Sequence, residues 1–216
     1  MSRVPPELAG HPDRQRWNSR YGAGFAPSFI PHPLAAAALG MLAPPMLAPP
    51  LQPPAGPVLD LASGPSGSAL LAAAAGRQVT AVDVSEVALR LLGEEAGRRG
   101  LGELITLVHA DLTAWRPQPG SYSLVLCTGY WDPAVFVAAA AAVGAGGLLG
   151  WEAFTAAAQR ARPGLPAQWC LGPGEPAALL PASFDVLRHC DLPGSCDLPT
   201  KNPGTKRQLL ARRRPS

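Results

Sequence analysis

The sequence predicts an α/β fold: a Rossmann-like, doubly wound sheet of about seven strands, mostly parallel, closed by an antiparallel C-terminal strand pair. Three observations predict it. From Pro57 onward, short apolar runs alternate with helical stretches. The runs are dominated by Val, Leu and Ile without polar alternation, as strands buried on both faces require. The last two runs follow one another with no helix between them, which marks an antiparallel finish.

The parallel strands are expected at 58–61, 79–84, 104–108, 123–127 and 147–151. Helices are expected between them at 68–75, 85–98 and 133–143. Ser85 is placed to cap the second of these helices, since its hydroxyl can accept from the first free N–H groups. Gly100, just beyond Arg98 and Arg99, supplies the left-handed stop. Further on, 175–180 reads as a short helix, and 184–189 and 208–212 as the final strands, separated by a turn region at 193–204.

Upstream of the sheet, residues 1–32 are polar with scattered aromatics, and 34–42 can form a short helix. Met41 to Pro45 then recurs at once as Met46 to Pro50. A Pro-rich tandem cannot form a helix interior or a central strand, so 41–54 reads as a semi-rigid linker. The expected organisation is one domain overall, with residues 1–56 as an N-terminal lid segment and linker and 57–216 as the body.

The chain has 216 residues, 47% hydrophobic and 15% charged, a balance that supports a packed core without disulfides or metals. The net charge of +3 comes largely from Lys206, Arg207 and Arg212 to Arg214, a terminal basic run. No basic face interleaved with aromatics appears, so no nucleic-acid partner is expected. Cys127, Cys170, Cys190 and Cys196 have no zinc-like spacing, so no metal is expected and the thiols read as reduced. The polar N-terminus lacks a signal-peptide core, which points to the cytoplasm. The apolar stretches at 33–51 and 134–154 are broken by prolines and by Gly144 to Gly147, and no membrane span is expected.

The chemistry is concentrated where strands end. In Val58 to Gly67 an apolar strand runs through Asp60 into a loop of small residues, Ala62, Ser63 and Gly64, and then into a helix. Small residues let backbone approach a ligand closely, and a helix start offers free N–H groups. A nicotinamide-binding loop would read G-x-G-x-x-G, which is absent. A carboxylate at Asp60 instead suits a ligand bearing an ammonium group, such as the methionine end of S-adenosylmethionine. Asp83 ends the second strand about twenty residues past the loop, the place of a ribose-binding carboxylate, whose two oxygens can take both hydroxyls. Asp111 follows the third strand and can accept from an adenine amino group, with Leu112 covering the ring.

With these motifs the chain resembles the class I S-adenosylmethionine-dependent methyltransferases over 57–155, and within them the tellurite-resistance and thiopurine methyltransferase-like branch. Trp17-Asn18-Ser19-Arg20-Tyr21 is similar to that branch's W-x-x-R-Y opening. Gly146 to Leu149 is similar to its P-G-G-x-L turn, and Trp151 to Thr155 with Leu171 to Glu175 is similar to its E-x-x-T and L-x-P-G-E-L stretches. The resemblance implies S-adenosyl-L-methionine as donor, held by Asp60, Ala62, Gly64, Asp83, Val84, Asp111 and Leu112. It implies that Cys127, Thr128 and Tyr130 face the methyl group, and that Arg20 and Tyr21 belong to a lid over the site. The sequence departs from the family at Ala62, Ser63 and Pro65, the last of which removes one N–H donor.

The expected reaction is methyl transfer to a small-molecule acceptor by direct displacement. No general base is recognisable: His109 and His189 fall in strands, and His11 and His32 lie in the N-terminal segment. The absence of a recognisable base suits a soft anionic acceptor, a thiolate or a selenium or tellurium oxyanion, and equally well a base of unrecognised type. Tyr130, Trp131, Trp151, Phe154 and Trp169 are candidates for an apolar acceptor pocket. The alternative is a non-catalytic donor-binding or partner-binding module on the same fold. A nicotinamide-dependent oxidoreductase is disfavoured by Asp60 and by the loop.

Overall fold

The computed structural model describes residues 4–42, 56–192 and 205–215. Most of the expected linker, the turn at 193–204 and Cys196 lie outside the described residues.

The parallel strands are β1 (Val58–Leu61), β2 (Val79–Asp83), β3 (Ile105–His109), β4 (Tyr122–Thr128) and β5 (Val143–Thr155). A two-residue strand, β6 (Cys170–Leu171), pairs with the end of β5. Strands β7 (Phe184–Leu192) and β8 (Lys206–Arg213) complete a sheet in the order β3-β2-β1-β4-β5-β8-β7. β8 runs antiparallel to β5 and to β7. The chain therefore starts in the middle of the sheet and winds outward both ways, which leaves a crevice at the carboxyl ends of β1 and β4.

Among the described residues six α-helices cover the faces: α1 (Pro12–Arg20), α2 (Pro33–Leu42), α3 (Gly67–Ala74), α4 (Glu86–Arg98), α5 (Pro133–Ala142) and α6 (Ala156–Ala161). Two apolar layers result. On one face α2, α3 and α4 bury Leu34, Leu42, Leu70 and Leu92 against β1 and β2. On the other, α5 and the late strands enclose Phe136, Trp151 and Leu209. Local signals account for the helix starts. Ser66, Ser85 and Asp132 each accept from a first-turn N–H, and Gly100 takes φ +70° just past the end of α4.

Besides the unexpected α6 and β6, three elements depart from expectation. The N-terminal segment contains a helix, α1, signalled by Pro12 at its first position and Asp13 in its first turn. β5 begins at Val143, directly after α5, because Gly144 to Gly147 form an irregularity in the strand: Tyr122 pairs with Val143 but Leu124 with Leu148. The expected helix at 175–180 shortens to a single 3-10 turn at Ala177–Leu179. Among the described residues no helix is long and apolar enough to cross a membrane.

Candidate active site

The carboxyl edge of the sheet opens into a cavity of about 320 Å³, within the size range of small-ligand sites. Its floor comes from strand ends: Ala62 after β1, Asp83 and Val84 at β2, Asp111 and Leu112 after β3, and Thr128 to Trp131 after β4. α1 and Tyr21 form one side through His11, Asp13 and Trp17, and Phe154 and Trp169 face the cavity from the β5–β6 region.

Asp83 is the most constrained of these groups. It is 7% exposed. Its Oδ2 accepts from the Gly64 N–H and its Oδ1 from the Ser85 N–H, each at 2.8 Å. Burial raises its pKa, against the pull of these backbone donors. The two N–H groups fix the carboxylate in the cavity wall, and each oxygen keeps a lone pair for a diol.

Gly64 itself sits at φ +58°, and a Cβ there would meet the Tyr21 hydroxyl at 3.1 Å. Tyr21 thus lies directly on the loop, and burial followed by the nearby Asp83 charge pushes its phenol up to about 12. Ala62 adopts φ +48°, a left-handed conformation natural to glycine and strained for alanine.

Asp111 lines the cavity with its carboxylate braced: Oδ1 accepts from the Thr113 N–H at 2.9 Å and Oδ2 from the Thr113 hydroxyl at 2.5 Å. His11 Nε2 stands 3.5 Å from Asp111 Oδ2, while His11 Nδ1 is buried without a hydrogen-bond partner. Leu112 is buried in the floor beside it.

α1 is held over the site by contacts far apart in sequence. Arg14 Nε donates to Glu86 Oε2 at 2.9 Å, and the Ser85 hydroxyl donates to Asn18 Oδ1 at 2.7 Å. Both partners lie at the start of α4, beside Asp83.

Several of the expected site residues lie off the cavity. Asp60 is 3% exposed and lies behind the cavity wall, where its Oδ2 accepts from the Ser66 hydroxyl at 2.6 Å. Burial, only partly offset by Ser66, raises its pKa to about 6. Cys127 is fully buried in the aromatic core, its thiol directed at the Tyr130 carbonyl. The pleat of β4 turns Cys127 away and presents Thr128. Arg20 is exposed and off the cavity, whereas Tyr21 lines it. Trp151 is likewise core, its indole N–H donating to the Tyr130 carbonyl at 3.0 Å. The start of α3 offers no open cradle, because a Cβ on Gly67 would stand 2.4 Å from the Phe29 carbonyl. That glycine admits the chain's own segment rather than a ligand. His109 is structural, with Nε2 3.0 Å from the Val84 carbonyl.

Sequence reasoning did not single out Asp13 and weighed His11 only as an unsupported base, yet both line the cavity. The Pro12-Asp13 helix start is visible in the sequence, but its position over the cavity is not.

A methyltransferase domain family matches residues 58–147. No curated protein matches the sequence. Among solved structures, the chain is similar to TehB from Haemophilus influenzae, with TM-score 0.66 and 17% identity over 94% of this chain and 67% of that one. It is similar to the CcbJ methyltransferase from Streptomyces caelestis, with TM-score 0.63 and 16% identity over 91% and 96% of the two chains. It is also similar to a putative sarcosine dimethylglycine methyltransferase from Galdieria sulphuraria, with TM-score 0.64 and 14% identity over 94% and 98%.

Proposed function

We propose that this chain is an S-adenosylmethionine-dependent methyltransferase that methylates a small-molecule acceptor by direct displacement, a reading supported by the methyltransferase domain match over residues 58–147 and by the strand order of the sheet. The carrying observation is Asp83: a buried carboxylate pinned by two backbone N–H groups at the mouth of β2, facing a cavity of small-ligand size.

In this reading Asp83 takes the ribose hydroxyls. Asp111 accepts from the adenine amino group, and Leu112 covers one face of the ring. Ala62, Gly64 and Val84 supply close backbone contact, and Tyr21 closes the loop side from above. Asp60 acts through the loop, holding Ser66 rather than touching the donor. The bound donor supplies a methyl group already activated by its sulfonium charge. What the chain's own residues contribute is alignment and exclusion of water, and alignment alone is worth ~7–11 kcal/mol. Thr128 and Tyr130, at the end of β4, flank the point of transfer. α1 and Tyr21 form the lid, with its tether at Arg14 and Asn18.

The test is a calorimetric titration with S-adenosylhomocysteine. Wild type is expected to bind with micromolar affinity. Asp83→Ala is expected to weaken binding by roughly 1.5–3 kcal/mol, the worth of charge-assisted hydrogen bonds. Undetectable binding by the folded wild type refutes the assignment. Transfer of labelled methyl separates an enzyme from a module that binds the donor without turnover.

A further inference from the structure

The cavity wall left over from the donor contacts has a composition of its own. Trp17, Tyr130, Phe154 and Trp169 turn aromatic surface to it, and Asp13 adds a carboxylate. Asp13 makes no hydrogen bond or ion pair among the described residues. Its charge is felt across the cavity at Tyr130, whose phenol is raised first by burial and then by Asp132, Cys127, Asp111 and Asp13. Among the described residues the lining includes Asp13, Asp83, Asp111 and His11 but no Lys or Arg. Three cations lie against its rings: Arg16 at 4.4 Å from the Trp169 centroid, and Lys206 and Arg162 at 5.8 and 5.9 Å from that of Phe154, with Lys206 paired to Glu152. None of the three lines the cavity.

Building on the donor assignment above, we infer that the methyl acceptor is an amine carried in as an ammonium, drawn to Asp13 within the aromatic collar of Trp17, Tyr130, Phe154 and Trp169. A carboxylate beside aromatic faces is the chemistry that recognises an organic cation. The same wall repels thiolates, carboxylates and oxyanions, because a like charge brought into a partly buried acidic site is costly. The soft anionic acceptor suggested by the missing base is therefore disfavoured.

The step balances without a further co-reactant. Asp13 attracts the ammonium, and the sulfonium beside its nitrogen favours loss of one proton to solvent through the mouth, since two adjacent cations repel. The freed lone pair forms the N–CH₃ bond as the C–S bond breaks. The bonding pair goes to sulfur, leaving a neutral thioether and an N-methylammonium product. Asp13 also sits in the first turn of α1, where an acid favours the helix dipole, so the test must separate binding from folding.

The experiment is a methyl-transfer panel on the full chain with labelled donor and four probes: 2-phenylethylamine, 2-phenylethanethiol, 3-phenylpropionate and selenite. Only the amine is expected to be methylated, with the N-methyl product identified by mass spectrometry. Asp13→Asn, whose amide keeps helix-start compatibility, is expected to lower kcat/KM for the amine at least tenfold. Its affinity for S-adenosylhomocysteine should stay within twofold of wild type. Faster methylation of the thiol or of selenite overturns the inference. So does an unchanged kcat/KM in Asp13→Asn, or no methylation of the amine by a protein that binds S-adenosylhomocysteine. Failure to bind S-adenosylhomocysteine instead strikes the donor assignment beneath it.

Discussion

Asp60→Asn tests the most consequential displacement between sequence and structure, a carboxylate expected at the ligand and found beneath it. Asp60 is 3% exposed, with one short hydrogen bond from Ser66. Its pKa is raised from 3.8 to about 6, chiefly by burial. A folded-state pKa above the unfolded value means that the folded protein binds the extra proton between those two values. Stability is therefore lost as pH rises from about 4 to about 6, and the penalty is complete above that. Two units at 1.36 kcal/mol each make it about 3 kcal/mol. Asparagine keeps an acceptor for Ser66 and carries no charge. The stability difference, Asp60→Asn minus wild type, should shift in favour of the variant by about 3 kcal/mol between pH 4 and pH 8. Taking the difference between two pH values cancels the intrinsic cost of the amide. Urea unfolding of both proteins at each pH measures it. At pH 8 a gain of that size corresponds to roughly 6–12 °C in Tm for a chain of this length. A pH-independent difference refutes the reasoning and implies a compensating cation at Asp60. A tenfold loss of S-adenosylhomocysteine affinity in the variant returns Asp60 to direct donor contact.

Two further predictions concern the frame around the site. Glu152 is 2% exposed and, despite burial, its pKa is held down to about 2 by His32 and Lys206, with Gln208 donating at 2.7 Å. Its stabilisation is present above about pH 4.5 and lost as pH falls toward 2, so Glu152→Gln should cost about 3 kcal/mol at pH 7 and flatten the acid limb of a stability–pH curve; an unchanged urea midpoint at pH 7 argues against it. Removal of residues 1–26 takes away α1 and Tyr21 but leaves His32 on Glu152 and α2 in the core, so the truncated chain should melt within a few degrees of wild type while losing donor affinity or turnover. Aggregation of that chain would make α1 part of the core, and wild-type turnover would remove its role as a lid.

This last prediction moves a hinge. A lid swinging on the Pro-rich linker would carry α2 with it, yet Leu34, Ala35, Ala38 and Leu42 are buried against the sheet. A Cβ on Gly67 has no room beside Phe29, and the His32 N–H donates to the Ser68 hydroxyl at 3.1 Å. A lid built from this segment therefore has to hinge before Phe29.

What the sequence alone determined is what short-range physics writes locally. Buried parallel strands are continuous apolar runs, so β1 to β4 are placed within a residue or two. Acids that interrupt or follow such runs collect on one edge of the sheet, and so Asp83, Asp111 and Leu112 were readable as neighbours, which the structure places in one cavity wall. Helix starts were legible where Ser or Asp stands before a helical stretch, as at Ser85. What only the tertiary structure decided depends on side-chain direction and long-range packing. Residues 123–127 are buried throughout, so no alternation reveals that Cys127 points into the core and Thr128 into the cavity. Asp60 and Asp83 both end apolar runs, and only the turn of the loop puts one behind the wall and the other in it. Asp13 and His11 read as an ordinary helix start. Contacts across 72 and 67 residues, Arg14 to Glu86 and Asn18 to Ser85, bring them over the cavity, and no local pattern encodes a contact whose two halves are that far apart.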